Sequence, residues 1–277
     1  MKQLKMTALL FLIVLPFTLP VPVAANSFSI RMNIDYSERD MELSTLSSTS
    51  PFSDYNFQEL TDDVEYEQRQ NLIYLSGRWQ FNPYFGLEAM LGYSDLHFEQ
   101  DYKGDSSRYD DVTLNGDQND KFFYGLSLFF NYPFSNKYSL GLTLTGQQGK
   151  ISDDVPNFGS PLRDGEANNA AWISHVRWEQ DIDWWSITIF PHFDIYFDNI
   201  TLYTGPVYSM ADTEIESQVI RTDALGFNAS QTYEFEQGDD FGARFGAVLR
   251  MTENWRAKIE FQAIDKIGFS GSVFYMF

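Results

Sequence analysis

Three histidines are the residues of this sequence that best suit acid–base chemistry. His97 follows Asp95 by two positions. His192 precedes Asp194 by two, and His175 is the third. Residues two apart in an extended strand lie on the same side, so each pair could combine a base with an orienting carboxylate. The same spacing is typical of a histidine satisfied by an interior carboxylate. No hydrolase motif accompanies these pairs, so we predict no catalytic residue.

A second group with ligand chemistry is the acidic run DYKGDSSRYDDVTLNGDQND, residues 101–120. Carboxylate oxygens are ligands that Ca²⁺ and Mg²⁺ prefer. The spacing matches no metal-loop pattern, however, and blocks of like charge are usually solvated and mobile. We therefore predict no cofactor. The weak candidates for a Ca²⁺ or Mg²⁺ site in these loops are Asp101, Asp105, Asp110, Asp111, Asp117 and Asp120.

The acidic residues are concentrated in a few polar stretches. The chain has a net charge of −20, or about −22 without the two lysines near its start. Thirty of the 39 acidic residues, but only seven of the 19 basic ones, lie in four stretches, 38–65, 99–120, 150–183 and 210–240. We predict an acidic canopy of long loops on one side of the molecule and no nucleic-acid partner. The absence of cysteine excludes a disulfide scaffold.

The first 25 residues are typical of a secretory signal peptide. Lys2 and Lys5 precede an apolar run, and the small residues of the segment Val23–Ala25 could form a cleavage site. Three prolines interrupt the run, so a membrane-anchoring helix is the poorer interpretation. We predict a cleaved signal at residues 1–25 and one domain at residues 26–277.

The remaining chain shows segments in which apolar and polar residues alternate strictly. This period of two is the pattern of a strand with one apolar face. The segment 200–209 is the weakest, because its phase is ambiguous and it contains Pro206. The segments are 28–36, 73–81, 85–93, 122–132, 138–144, 185–197, 200–209, 241–251, 255–263 and 267–277.

The links between these segments alternate in length. Four are tight and flanked by aromatic residues, within FNPYF, PFSNKY, FDNI and MTENW, and a fifth short turn lies at Asp265–Lys266. The other four are the long acidic stretches. Short turns at one end and long loops at the other are typical of transmembrane β-barrels. We predict an all-β fold, a single closed antiparallel barrel of ten strands within a range of 8–12. Counting Trp172–Trp178 as a further strand pair would give twelve, whereas the ten-strand prediction places this region in a β extension above the membrane.

Large aromatic residues cluster near the ends of the apolar faces, as in the girdles at the two membrane–water interfaces. The predicted girdle comprises Trp79, Phe81, Phe85, Tyr93, Tyr132, Tyr138, Trp185 and Trp255. The opposite faces carry glycine, hydroxyl and charged residues, which suit a narrow polar interior. The predicted charged network of this lumen comprises Arg31, Asp35, Arg78, Glu88, His192, Asp194, Arg244, Arg250, Arg256, Lys258 and Glu260.

Two readings of this network remain open. Arg78 and Glu88 are symmetric about the FNPYF turn and should face each other, which favours a salt-bridged filling, since a barrel of about this size is little wider than its side chains. The alternative is a basic path for small anions.

The chain ends in FSGSVFYMF, with apolar residues of one parity up to Phe277. This end resembles the C-terminal signature of bacterial outer-membrane β-barrel proteins, and NPYFGLEAMLGYSD is similar to strands of the small OmpA-like and opacity-type group. The resemblance implies residence in the outer membrane of a Gram-negative cell, contact with lipid and lipopolysaccharide, and insertion by the barrel assembly machinery. The residues of the implied insertion signal are Phe269, Val273, Tyr275 and Phe277.

These observations predict a monomeric, porin-like barrel at the cell surface that serves a structural or surface-interaction role, with a largely filled lumen. A narrow channel for small solutes or ions is the first alternative. A barrel enzyme, a hydrolase or acyltransferase, is the second.

Overall fold

The computed structural model describes residues 27–49, 64–102, 118–155, 176–221, 228–237, 241–264 and 266–277. The predicted signal peptide lies outside these ranges. No helix in the described ranges is long and apolar enough to cross a membrane. The described chain forms eleven strands, β1 (Ser27–Thr49), β2 (Val64–Gln80), β3 (Phe85–Tyr102), β4 (Gln118–Pro133), β5 (Tyr138–Val155), β6 (Val176–Tyr196), β7 (Ile200–Arg221), β8 (Asn228–Gln237), β9 (Phe241–Arg250), β10 (Trp255–Ile264) and β11 (Lys266–Met276).

Ten of these strands form a closed antiparallel barrel, as the alternating segments predict. Neighbours in sequence pair with each other from β1 to β7, and β7 pairs with β9. The strands β9, β10 and β11 continue the order, and β11 pairs with β1 to close the ring. Every strand therefore has a partner on both sides, which removes the free edges that an open sheet would present.

The eleventh strand, β8, lies where the sequence predicts part of a loop. β7 pairs with β9 along 200–208 and then with β8 along 212–220. β1 pairs with β11 along 29–37 and then with β8 along 41–49. Beyond the ends of the short strands β9 to β11, β8 thus fills the space between β7 and β1. We call this part of the barrel, farther from the short turns, the outer extension.

The predicted boundaries of the long links are wrong by many residues. β1 continues to Thr49 and β7 to Arg221, and the described parts of all four acidic stretches are strand. The region Trp172–Trp178 contributes the start of β6 from Val176, while its first residues lie outside the described ranges. The alternation of apolar and polar residues does not mark these parts of the strands. Their outer face meets water, so they carry no lipid-facing apolar residues, and hydrogen bonds to neighbouring strands are enough to hold them.

Several bulky inward side chains lie against a glycine of the neighbouring strand. Phe129 on β4 is paired with Gly86 on β3, and His192 on β6 with Gly141 on β5. A Cβ atom at either glycine would overlap the ring opposite. Glycine is required at these two positions because the ring fills the space that a side chain would take. The rings are thereby held flat against the inner wall.

Candidate functional site

The lumen contains a cavity of about 390 Å³. It extends from Ser27 and Met276, near the short turns, to Arg39 and Gln70 below the outer extension. Among the described residues six cationic side chains and four carboxylates line it, so the lining carries a positive surplus although the whole chain is strongly acidic. The lining charges are Arg31, Arg39, Arg78, Arg244, Arg256 and Lys258 against Asp35, Glu88, Asp194 and Glu260.

Glu260 is the centre of the charge cluster in the middle of the lumen. Lys258 Nζ lies 2.9 Å from one carboxylate oxygen, and Arg244 Nε lies 3.7 Å from the other. Tyr203 donates its hydroxyl hydrogen to the same carboxylate at 2.7 Å. Nearby, the hydroxyl of Tyr74 donates to Asp35 at 2.7 Å. Buried carboxylates of this kind are stable because they are paired and hydrogen-bonded.

The charges near the short turns are less evenly matched. Arg78 and Glu88 are paired across the β2–β3 hairpin, as the sequence predicts. The ion pair of Glu88 nevertheless forms with Arg31, at 3.6 Å, and Ser76 donates to Glu88 at 2.6 Å. The Arg78 guanidinium instead lies 3.3 Å from the centre of the Phe129 ring. The position of Arg78 opposite Glu88 was predictable from the hairpin. The ion-pair partner of Glu88 was not, because Arg31 lies on β1, outside that hairpin.

Arg250 is the member of the predicted network that lies outside this cavity. It is exposed at the end of β9, opposite Arg256 on β10. Its position at the turn end gives it water on one side, whereas Arg256 lines the lumen.

The His192–Asp194 pair is in place, with each side chain also in contact with a further group. Nε2 of His192 lies 3.5 Å from Asp194, and Nδ1 lies 3.2 Å from the Phe190 carbonyl oxygen. The buried Ser139 donates to Asp194 at 2.7 Å, and so is bonded to the carboxylate of the pair. A nucleophilic serine would need the histidine as its base. Of the other histidines, the side chain of His97 and all of His175 lie outside what the structure describes.

The weak metal candidates also fall outside the described side chains. Asp101 and Asp120 lie at the ends of β3 and β4, and the other four lie outside the described ranges. Within the described part of the chain no group of three or more ligating side chains could hold a metal ion.

A layer of apolar side chains crosses the interior on the outer side of the cavity. Leu96 and Phe123 have no exposed surface, and Trp184 is 3% exposed. The layer comprises Met41, Leu72, Leu96, Phe123, Ile182, Trp184, Ile215 and Phe235, from seven of the eleven strands. We call it the apolar layer. Sequence reasoning missed it, although its members share the parity of the polar lumen residues, because each strand contributes only one or two.

The outer surface of the barrel exposes large apolar side chains, which a water-soluble fold would bury. Leu75, Leu91 and Ile259 are 61, 59 and 53% exposed, and similarly exposed apolar residues occur on every other strand of the ring except β6, where they are half-buried. A continuous belt of exposed apolar side chains is suited to the hydrocarbon of a membrane. The closed ring fits the same environment, because it leaves no backbone N–H or C=O group unpaired in lipid. This is a membrane-spanning β-barrel.

Aromatic residues lie at both edges of this barrel's belt. Trp79, Phe81, Tyr132, Tyr138 and Trp255 are exposed towards the short turns. Tyr93 and Trp185 lie towards the outer extension, and Phe85, next to its turn, packs on Phe130 with ring centres 5.0 Å apart. On β1 the belt runs from Phe28 to Tyr36. In barrels of this kind the short turns face the periplasm, so we call the edge with the short turns the periplasmic edge and expect the outer extension at the cell surface.

The C-terminal residues close the barrel at the periplasmic edge. The backbone N–H of Phe277 donates to the carbonyl of Phe28 at 2.9 Å, and the two rings lie 5.7 Å apart. Phe269 and Val273 are exposed on the outer face, and Tyr275 contacts Phe277. The four residues of the predicted insertion signal thus lie on the lipid-facing side of the last strand.

No protein-family model and no curated protein matches the sequence. Among solved structures, the outer membrane protease OmpT from Escherichia coli is similar with a TM-score of 0.49 and 11% identity, covering 94% of this chain and 96% of that one. The translocator domain of the autotransporter NalP from Neisseria meningitidis gives 0.42 and 10%, covering 99% and 95%. The outer membrane protein OprG from Pseudomonas aeruginosa gives 0.39 and 13%, covering 93% and 98%. No residue role is carried over from these proteins.

Proposed function

We propose that this outer-membrane barrel is a structural or surface-interaction protein whose lumen does not conduct. The observation that carries the proposal is the apolar layer. Phe123 and Trp184 pack with ring centres 5.9 Å apart and have almost no exposed surface. An ion that crossed this layer would lose its hydration shell without gaining polar partners, which costs many kcal/mol. The polar cavity on the periplasmic side would then be a closed-ended chamber.

The outer face of the outer extension supports the surface role. Its strands place acidic side chains directly opposite each other, as in the pairs Glu214–Glu234 and Asp183–Glu214. Lys150 pairs with Asp183 at 3.1 Å, and this hydrogen-bonded carboxylate raises the pKa of Lys150. Like charges in cross-strand contact destabilise a sheet. We propose that divalent cations, and lipopolysaccharide bridged by them, offset this repulsion.

The test of the closed lumen is conductance in a planar lipid bilayer. Refolded wild-type protein is expected to give no single-channel steps in concentrated KCl. Replacing two rings of the apolar layer, Phe123→Ala with Trp184→Ala, should produce steps. The matched control replaces the adjacent rings on the outer face, Phe122→Ala with Trp185→Ala, and should stay silent. Steps from the wild type would overturn the proposal, and a silent layer variant would show that the layer is not what closes the lumen.

A narrow channel is the second candidate, favoured by the positive surplus of the cavity lining. If the wild type conducts, that surplus predicts preference for anions over cations, which the reversal potential in a KCl gradient measures. We propose no catalytic role for His192, because Ser139 is bonded to Asp194.

A further inference from the structure

Three arginines, Arg31, Arg78 and Arg256, lie in the periplasmic half of the lumen, where the nearby carboxylates are too few to pair with each of them. Arg31 forms an ion pair with Glu88 and lies 4.4 Å above the Phe274 ring. Arg78 makes a cation–π contact with Phe129, and Arg256 Nε is buried without a hydrogen-bond acceptor among the described residues. Buried polar groups are normally hydrogen-bonded, so a buried guanidinium nitrogen that lacks an acceptor points to a missing partner.

The surrounding charges do not supply that partner. Arg31 repels both other guanidiniums, and Arg250 adds to the repulsion on Arg256. Glu88 and Asp194 attract Arg78, but both are already engaged. Glu88 binds Arg31 and Ser76. Asp194 accepts from Ser139 and Tyr196 and lies beside His192. Repulsion between like charges is strong where water is scarce, so an anion in this space would relieve it.

Two of these arginines, Arg31 and Arg78, are also held in fixed orientations. Phe129 and Phe274 each carry a guanidinium on their face, and Phe129 is itself pressed against Gly86. A planar guanidinium whose orientation is already fixed loses little freedom when it binds a carboxylate or phosphate through two hydrogen bonds. The apolar layer lies on the outer side of the cavity, so a ligand would enter from the periplasmic end.

We propose that the periplasmic half of the lumen is a binding site for a small anion, whose carboxylate or phosphate group is held between Arg78 and Arg256. Both groups offer oxygens that match the guanidinium fork. The cavity of about 390 Å³ has room for a small organic molecule around that group. The site does not depend on whether the lumen conducts, since a chamber that opens only to the periplasm would serve it equally.

Isothermal titration of the refolded barrel in a neutral detergent tests the site. Succinate and inorganic phosphate are the probes, which separates carboxylate from phosphate recognition, and glycerol is the uncharged control. Saturable binding of at least one anion is expected. The Arg256→Gln variant should weaken it at least about tenfold, the loss expected when a charge-assisted hydrogen bond is removed.

The matched control is Arg250→Gln, which makes the same change at the residue opposite Arg256 but outside the cavity. It should change the affinity less than about threefold, because an exposed charge is screened. Folding of each variant is checked by its heat-dependent shift on a gel. If Arg256→Gln does not fold, Arg78→Lys keeps the charge, loses the fork and should also weaken binding. Absence of saturable binding in the wild type, or equal losses in Arg256→Gln and Arg250→Gln, would overturn the proposal.

Discussion

At the scale of single residues, Arg39 shows how the lumen charges can oppose stability. It lines the outer end of the cavity on β1, beyond the lipid-facing belt. Burial, with repulsion from Arg244, lowers the pKa of Arg39 to about 10. The unfolded chain holds this proton more tightly, so the charged guanidinium reduces the free energy of unfolding at neutral pH. The reduction is complete below about pH 10 and fades as the pH rises through the folded and towards the unfolded pKa.

We therefore expect Arg39→Gln to raise the free energy of unfolding by about 1–3 kcal/mol at pH 8, since each pKa unit corresponds to about 1.4 kcal/mol. The gain should shrink as the pH rises from about 10 towards the pKa of the unfolded chain. Urea unfolding in detergent at several pH values measures it. Arg69→Gln is the control, because Arg69 pairs with Glu67 at the surface and its loss should change stability by less than about 1 kcal/mol. A gain that is independent of pH would contradict this origin.

At the scale of strands, the contact between a ring and a glycine fixes how neighbouring strands pack. On β5 the two cases can be compared directly. Gly141 faces the lumen below His192, whereas a Cβ atom at Gly146, on the lipid face, would meet no atom within 4 Å. The same substitution thus has opposite consequences on the two faces of one strand.

We expect Gly141→Val to lower the free energy of unfolding by about 1–3 kcal/mol, because the new side chain must displace the imidazole. Gly146→Val should change it by less than about 0.5 kcal/mol. Urea titration followed by tryptophan fluorescence compares the two variants. In a double-mutant cycle, adding His192→Ala to Gly141→Val should recover part of the loss. Equal losses at the two glycines would show that flexibility of the strand, and not the ring, is what matters.

At the scale of the whole molecule, charge is sorted along the barrel axis. Carboxylates crowd the outer extension, and the cationic surplus lies in the lumen. The two ends of the molecule are therefore suited to partners of opposite charge. We propose cations or cation-bridged lipopolysaccharide as the partner of the outer extension, and a small anion as the partner of the end with the short turns.

Neutralising one acidic cross-strand pair, Glu214→Gln with Glu234→Gln, should raise the free energy of unfolding by about 0.5 kcal/mol at low salt. The gain should fall at about 0.15 M salt, where the screening length is about 8 Å. In vesicles that contain lipopolysaccharide, removal of Mg²⁺ with EDTA should lower Tm more for the wild type than for this variant. Glu253→Gln, in the exposed turn after β9, is the control and should be neutral. A double variant that is no more stable than the wild type would count against the proposed repulsion.

The sequence by itself determined the class of fold, the ten membrane strands and, on all of them except β7, the side that faces lipid. It could do so because a side-chain period of two is local, and because hydrocarbon accepts only a closed, fully paired set of strands. It also placed Arg78 opposite Glu88, since a tight turn sets the register of its own hairpin.

Only the tertiary structure decided what depends on strands far apart in the chain. The insertion of β8 between β7 and β1, the pairing of Glu88 with Arg31 and the apolar layer each join residues from distant segments. Polar strands in the outer extension look like loops in the sequence because their partners, and not their own composition, make them strands. The closure of the ring brings these partners together, and no periodicity within one strand encodes it.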